Sequence, residues 1–158
     1  MTQAVLHLQE LARQVRGSTL QALDLAEESW LMWSPPGTSN HILWHAGHAL
    51  WVQDTLCIRL LSGATELPCG WGEVFGSGSR PAESTTAWPS RQEVRQRLEV
   101  QLERILSLLE EHAERVNLVE PNPPNGWSLM RKIIHGLHDE ARHNGEMYLL
   151  YKLRQQAG

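Results

Sequence analysis

Apolar residues recur at helical spacing in four long stretches of this chain, and clusters of proline and glycine separate them. No other feature constrains the fold as much, because a stripe of helical period is buried by packing against other helices. The first stretch runs from about Thr2 to Leu31, with Val5, Leu8, Leu11, Val15, Leu20, Leu23 and Leu25–Ala26 as its apolar positions. A kink is expected at Gly17-Ser18-Thr19, and Ser34-Pro35-Pro36-Gly37 ends the helix, since proline removes a backbone donor and restricts the residue before it. A second helix is expected from about His41 to Leu61, with Ser39 or Asn40 as its N-cap and Gly63 just past its end. It is apolar around most of its circumference, which predicts heavy burial.

Residues 63–89 hold several Gly and Pro and read as a long loop, whose Trp71, Phe75 and Trp88 are expected to pack over the body of the fold. Ser90 followed by Glu93 forms a capping-box pattern that starts a third helix, striped by Val94, Leu98, Leu102, Ile105, Leu108 and Leu109 to about Arg115. Pro121, Pro123, Pro124 and Gly126 then break the chain before a fourth helix, from about Ser128 to Gln155. No alternating strand pattern competes. The expected fold is all-α: one four-helix-bundle domain spanning residues 1–158, long enough to bury a core without help from disulfides. The link at 63–89 is long enough to cross the end of the bundle, so the topology need not be simple up-and-down.

Charge and composition exclude several classes. A net charge of −4 gives no nucleic-acid-binding surface, which would need clustered Lys and Arg to neutralise phosphates. No stretch approaches the roughly 20 apolar residues of a membrane span. The N-terminal residues carry no secretory signal pattern, so a cytoplasmic location is expected. Cys57 reads as a small core residue and Cys69 as a loop thiol. Gly76-Ser77-Gly78-Ser79 lacks the Lys and the strand context of a phosphate loop, and no Gly-x-Ser-x-Gly elbow is present.

Against this ordinary background stand eight histidines. Three sit on the second helix (His41, His45, His48) and three on the fourth (His135, His138, His143). At about 100° per residue, the first three share one face, and His135, His138, Asp139, Arg142, His143 and Glu146 share another. Met130, Ile134, Leu137, Ala141 and Tyr148 form the adjoining apolar arc. A solvated face is usually rich in Lys and Glu, whereas imidazole is the commonest transition-metal ligand and facing helices bring such ligands together. Asp139 and His143, four residues apart, can chelate one ion, and one histidine of the second helix would complete a two-His, one-carboxylate set with open positions. Spacing does not select which one. His41 also suits a helix cap, and His7 and His112 read as ordinary helix or surface residues. A di-iron carboxylate site is excluded: Glu140 and His143 have the Glu-x-x-His spacing, but no other helix repeats it. Trp44 and Trp51 read as core or loop-packing residues.

Three stretches carry a resemblance to a known family: Trp44-His45-Ala46-Gly47-His48-Ala49-Leu50-Trp51, Ala87-Trp88-Pro89-Ser90-Arg91-Gln92-Glu93-Val94, and His138-Asp139-Glu140-Ala141-Arg142-His143-Asn144-Gly145-Glu146. Together they resemble the helix-two, helix-three and closing motifs of the DinB superfamily of DinB/YfiT-like metalloenzymes. The resemblance implies that bundle topology and a homodimer. It implies His48 and His143 as metal ligands, with Asp139 where the family's closing motif has its first histidine. That departure keeps a metal but makes the site harder; His45, His135, His138 and Glu146 are then candidates for the surrounding shell, and His138 or His135 for substitute ligands. Nickel or zinc is the expected ion, with iron or manganese as alternatives. Relatives also imply metal-dependent chemistry on low-molecular-weight thiols such as bacillithiol or mycothiol, for which Arg131 and Arg142 can meet a cofactor carboxylate. The competing expectation is a non-enzymatic, stress-associated metal-binding or scaffold protein. The residues do not single out a catalytic side chain.

Overall fold

The computed structural model describes residues 2–79, 81, 87–117 and 126–157. Among them there is no β-strand, and the fold is all-α. The helices are α1 (Gln3–Leu25), α2 (Ile42–Gln53), α3 (Arg59–Ser62), α4 (Trp71–Phe75), α5 (Arg91–Glu111), α6 (Ala113–Asn117) and α7 (Leu129–Ala157). A 3-10 turn at Glu28–Trp30 follows α1, and a π-helical turn at Asp54–Ile58 joins α2 to α3. The bundle therefore consists of α1, the α2–π–α3 rod, α5 and α7. The α2–α7, α1–α7 and α1–α5 pairs pack most extensively.

Local chemistry explains most boundaries. Thr2 caps α1, Ser90 accepts a hydrogen bond from the Glu93 amide at 3.1 Å, and Gly63 ends α3 in the left-handed conformation at φ 89°. Several expectations need correction. The first helix stops at Leu25, not near Leu31, and it runs unbroken through Gly17-Ser18-Thr19. The N-cap of α2 is His41, whose Nδ1 accepts from the Trp44 amide at 3.1 Å, in place of Ser39 or Asn40. The third helix ends at Glu111, and α6 begins after His112. The 63–89 link contains a helical turn, α4. The Pro121, Pro123 and Pro124 break lies outside the described residues.

The π turn was not anticipated. It begins at Asp54, which is buried and fastened to the following loop by the Thr65 hydroxyl (2.7 Å) and the Glu66 amide (2.8 Å). Within the turn Cys57 and Ile58, and beyond it Leu61, are buried in the core.

That core is split by a polar layer. One apolar cluster gathers Val5, Leu8, Ile105, Leu109, Ile133 and Leu137; the other gathers Leu23, Ile42, Leu50, Leu98, Met147 and Leu150. Between them on the helices lie Arg16, Thr19, Gln53, Gln101, Glu140 and Asn144, all buried. Arg16 donates to both Glu140 oxygens, at 2.8 and 3.1 Å, and to the Leu98 carbonyl at 2.7 Å. Thr19 and Gln53 add bonds to the same carboxylate, at 2.6 and 2.9 Å. A buried charge pair is tolerated only when its remaining hydrogen-bonding capacity is met in this way. The inner arc of α7 is thus Ile133, Leu137, Glu140, Asn144 and Met147, whereas Ile134, expected on it, is exposed.

Candidate metal centre

The site sits where α2 faces α7, one helical face away from the Arg16–Glu140 layer. Burial of α2 is deeper than its polar residues suggest: His41, His45 and His48 are all under 6% exposed. Gly47 makes this possible. A Cβ there would lie 2.2 Å from the Phe75 ring, so only glycine lets α4 close onto α2. Closure brings the Phe75 carbonyl to 2.7 Å from His48 Nδ1.

Two groups of donors result, each with its ligand-type atoms within 4.8 Å of one another: His48, Asp139 and His143, and His45, His143 and Glu146. In the first, Asp139 Oδ2 lies 3.3 Å from His48 Nε2 and 3.5 Å from His143 Nε2. In the second, His45 Nδ1 meets His143 Nδ1 at 2.8 Å, and His45 Nε2 lies 3.3 Å from Glu146 Oε2. His143 belongs to both because its two nitrogens face opposite ways.

The electrostatics favour bare donors. Burial drives His45 down to about 3, with the neighbouring imidazoles of His143, His48 and His41 acting in the same direction. Burial likewise takes His143 to about 4 and His41 to about 4. Asp139 is held below the usual carboxylate range, first by hydrogen bonding with His48 and then by the nearby His143, His48 and Arg142 charges. It is therefore ionised at neutral pH.

The donor set fits a divalent cation. A backbone carbonyl can only accept, so His48 Nδ1 must carry the proton that meets the Phe75 oxygen. His48 Nε2 then faces the ionised Asp139 carboxylate at 3.3 Å, a gap that either a second ring proton or a metal ion fills. Two ligands on a tetrahedral ion with bonds of about 2.1 Å stand about 3.4 Å apart. The observed 3.3 and 3.5 Å bracket that spacing.

Among the expected shell residues, His45 and Glu146 adjoin the site. His135 and His138 do not: both are exposed, and His135 packs against Trp127 at 5.0 Å instead. Neither belongs to a donor group among the described residues. His138 is turned about 100° from Asp139 around the α7 axis, and His135 lies one turn nearer the start of the helix, so neither reaches the donors.

Sequence reasoning missed the aromatic wall. The His48 ring stacks on Trp44 at 4.6 Å and on Trp51 at 5.3 Å, and Trp44 is itself tied down by Ser79 Oγ at 2.8 Å. The spacing of Trp44, His48 and Trp51, four and then three residues, places all three on one helical face and was the available signal. Trp88 closes the wall, edge-on to His41 and to Phe75.

Fold and site define a helical bundle with a histidine–carboxylate cluster between two of its helices. The DinB superfamily model matches residues 11–147, and the chain belongs to that superfamily. It is also similar to a conserved protein of Enterococcus faecalis of known structure, at 14% identity over 97% of this chain and 98% of that one, with a TM-score of 0.62. At that identity the likeness speaks for the fold. No curated protein matches the sequence. No described helix is long and apolar enough to cross a membrane.

Proposed function

We propose that the chain binds one divalent metal ion through His48 Nε2, Asp139 and His143 Nε2, and acts as a metal-dependent enzyme of the thiol-transfer type. One observation supports the metal reading: the Phe75 carbonyl holds a proton on His48 Nδ1, so Nε2 is turned toward the ionised Asp139, which His143 Nε2 also faces. Two imidazoles favour nickel or zinc, and the carboxylate keeps iron or manganese as alternatives. With three protein ligands, such an ion keeps a position open, where it would lower the pKa of a bound thiol and hold the thiolate. Arg142, exposed and 3.6 Å from Asp139, is placed to meet an anionic group on a low-molecular-weight thiol such as bacillithiol or mycothiol. A cytoplasmic homodimer is part of the same reading.

Elemental analysis of protein purified without an affinity tag tests the first half. About one divalent ion per chain is expected, lost in His48→Ala and in His143→Ala and retained in His112→Ala. No metal in the wild-type chain, and no stabilisation by added nickel, zinc or manganese, would refute it. Consumption of thiol with a panel of electrophiles tests the second half. The alternative is a non-enzymatic, stress-associated metal-binding or scaffold protein; the burial of His48 behind Trp44 and Trp51 favours it, because little of that ring is open to a substrate. A metal-loaded protein inert across the panel would select it.

A further inference from the structure

The His45–Glu146 pair is not needed to complete the three-donor set, yet it touches His143 on the nitrogen facing away from that set. The Nδ1 atoms of His45 and His143 are 2.8 Å apart, so one is protonated and the other accepts. From these two rings alone, either direction is allowed. If His45 donated, its own Nε2 would be a bare lone pair 3.3 Å from the Glu146 carboxylate, two acceptors face to face. If His143 donates, His45 accepts at Nδ1 and gives its Nε2–H to Glu146, and the bare lone pair falls on His143 Nε2, 3.5 Å from Asp139, where a metal ion would meet it. Glu146 Oε2 also lies 3.8 Å from His143 Nδ1, which further favours a proton on that nitrogen.

We infer that Glu146 and His45 are positioning residues that fix His143 as its Nδ1–H tautomer, leaving Nε2 bare for a metal ion. The chain of donors runs His143 Nδ1–H to His45 Nδ1, then His45 Nε2–H to Glu146. It works across the interface between α2 and α7, so the half-exposed carboxylate of Glu146 sets the state of a nitrogen buried between the helices. On His48 the Phe75 carbonyl has the same effect, and the two histidines of the set are prepared from opposite sides by different acceptors. Because Glu146 lies at the surface, its replacement leaves the core untouched. The inference rests on the metal reading, since an ion on His143 Nε2 is what decides between the two directions.

Two measurements on the full chain test it. Long-range proton–nitrogen NMR spectra of the nitrogen-15-labelled, zinc-loaded protein should report His143 protonated on Nδ1 and His45 on Nε2. Glu146→Ala should scramble the His45 tautomer and weaken zinc binding about 10- to 100-fold, the usual cost of losing a partner of a ligating imidazole. Glu146→Gln keeps an oxygen acceptor and should restore most of both. A wild-type His143 protonated on Nε2, or a Glu146→Ala zinc affinity within twofold of wild type, would overturn the inference. A wild-type chain that binds no zinc would overturn the metal reading and this inference with it, whereas normal wild-type binding with an unchanged Glu146→Ala affinity would overturn this inference alone.

Discussion

Replacing Gly47 by alanine gives a sharp test of how α4 closes the site. In an ordinary helix interior the change stabilises, by about 0.5–1 kcal/mol, because alanine loses less backbone freedom on folding. Gly17, exposed in α1 with nothing within 4 Å of an added Cβ, should show that gain. At Gly47 the same methyl would stand 2.2 Å from two carbons of the Phe75 ring and 2.5 Å from a third. Carbon–carbon contact requires about 3.5–4.0 Å, so the ring has to retreat by about 1.5 Å. It has nowhere easy to go: Phe75 is 1% exposed, with Trp71 and Trp88 at 5.4 and 5.5 Å. Overpacking of this kind costs about 1–3 kcal/mol, which exceeds the propensity gain. A net loss of about 1–2 kcal/mol is expected for Gly47→Ala, against a gain for Gly17→Ala, by urea denaturation under identical conditions. The displaced Phe75 carbonyl also leaves His48 Nδ1, so metal affinity should fall with stability. Equal, favourable effects of the two alanines would refute the close approach and the anchoring of His48 that depends on it.

Three further outcomes are expected. Arg16→Met strands the Glu140 carboxylate in the core and should cost about 3–5 kcal/mol, whereas adding Glu140→Met should bring the double variant well below the sum of the singles; additive losses would refute the pairing. With chelator present, stability should fall as pH drops. The folded values of about 4 for His41 and His143 and about 3 for His45 lie below the ordinary 6.5, so the unfolded chain takes up protons first. Their contribution is complete above pH 6.5 and is lost as acid approaches those folded values. His41→Asn keeps a cap acceptor and removes one titrating group, so its stability should decline less steeply between pH 6.5 and about 4, by at most about 1.4 kcal/mol per pH unit; an unchanged slope would refute the burial argument.

The periodicity of the chain was enough to read the four long helices, because each stripe has to be buried and proline and glycine mark where it stops. It could not place the end of α1 or the π turn. The apolar pattern continues into Ala26, where the backbone has already left the helix, and the π turn begins at Asp54, which is tied to Thr65 and Glu66, residues of a loop. The donor set was legible in part. Asp139 and His143 follow from a spacing of four, and the family motif pointed to His48. The Phe75 carbonyl was invisible, since a backbone atom leaves no mark in composition. It arrives through a glycine, Gly47, whose significance lies in what it permits a distant segment to do. His135 and His138 were drawn in by helical phase alone, which does not state how wide the buried arc is.

Asp139 and Glu140 show why that arc matters. They are consecutive carboxylates on α7, about 100° apart around its axis, and that rotation assigns them different work. Glu140 turns inward, where Arg16, Thr19 and Gln53 occupy its oxygens, so its charge is consumed in holding the two halves of the core together. Asp139 turns toward α2, where its partners are two imidazoles at 3.3 and 3.5 Å and an exposed Arg142 guanidinium at 3.6 Å. Its charge remains largely available. A carboxylate as fully paired as Glu140 would bind no cation, and one as open to water as Glu10 on the surface would bind it weakly. Asp139 lies between these limits, half-buried beside two imidazoles. The Arg16–Glu140 pair thus does more than join helices: by fixing the rotation of α7, it sets which of the two carboxylates is presented to His48.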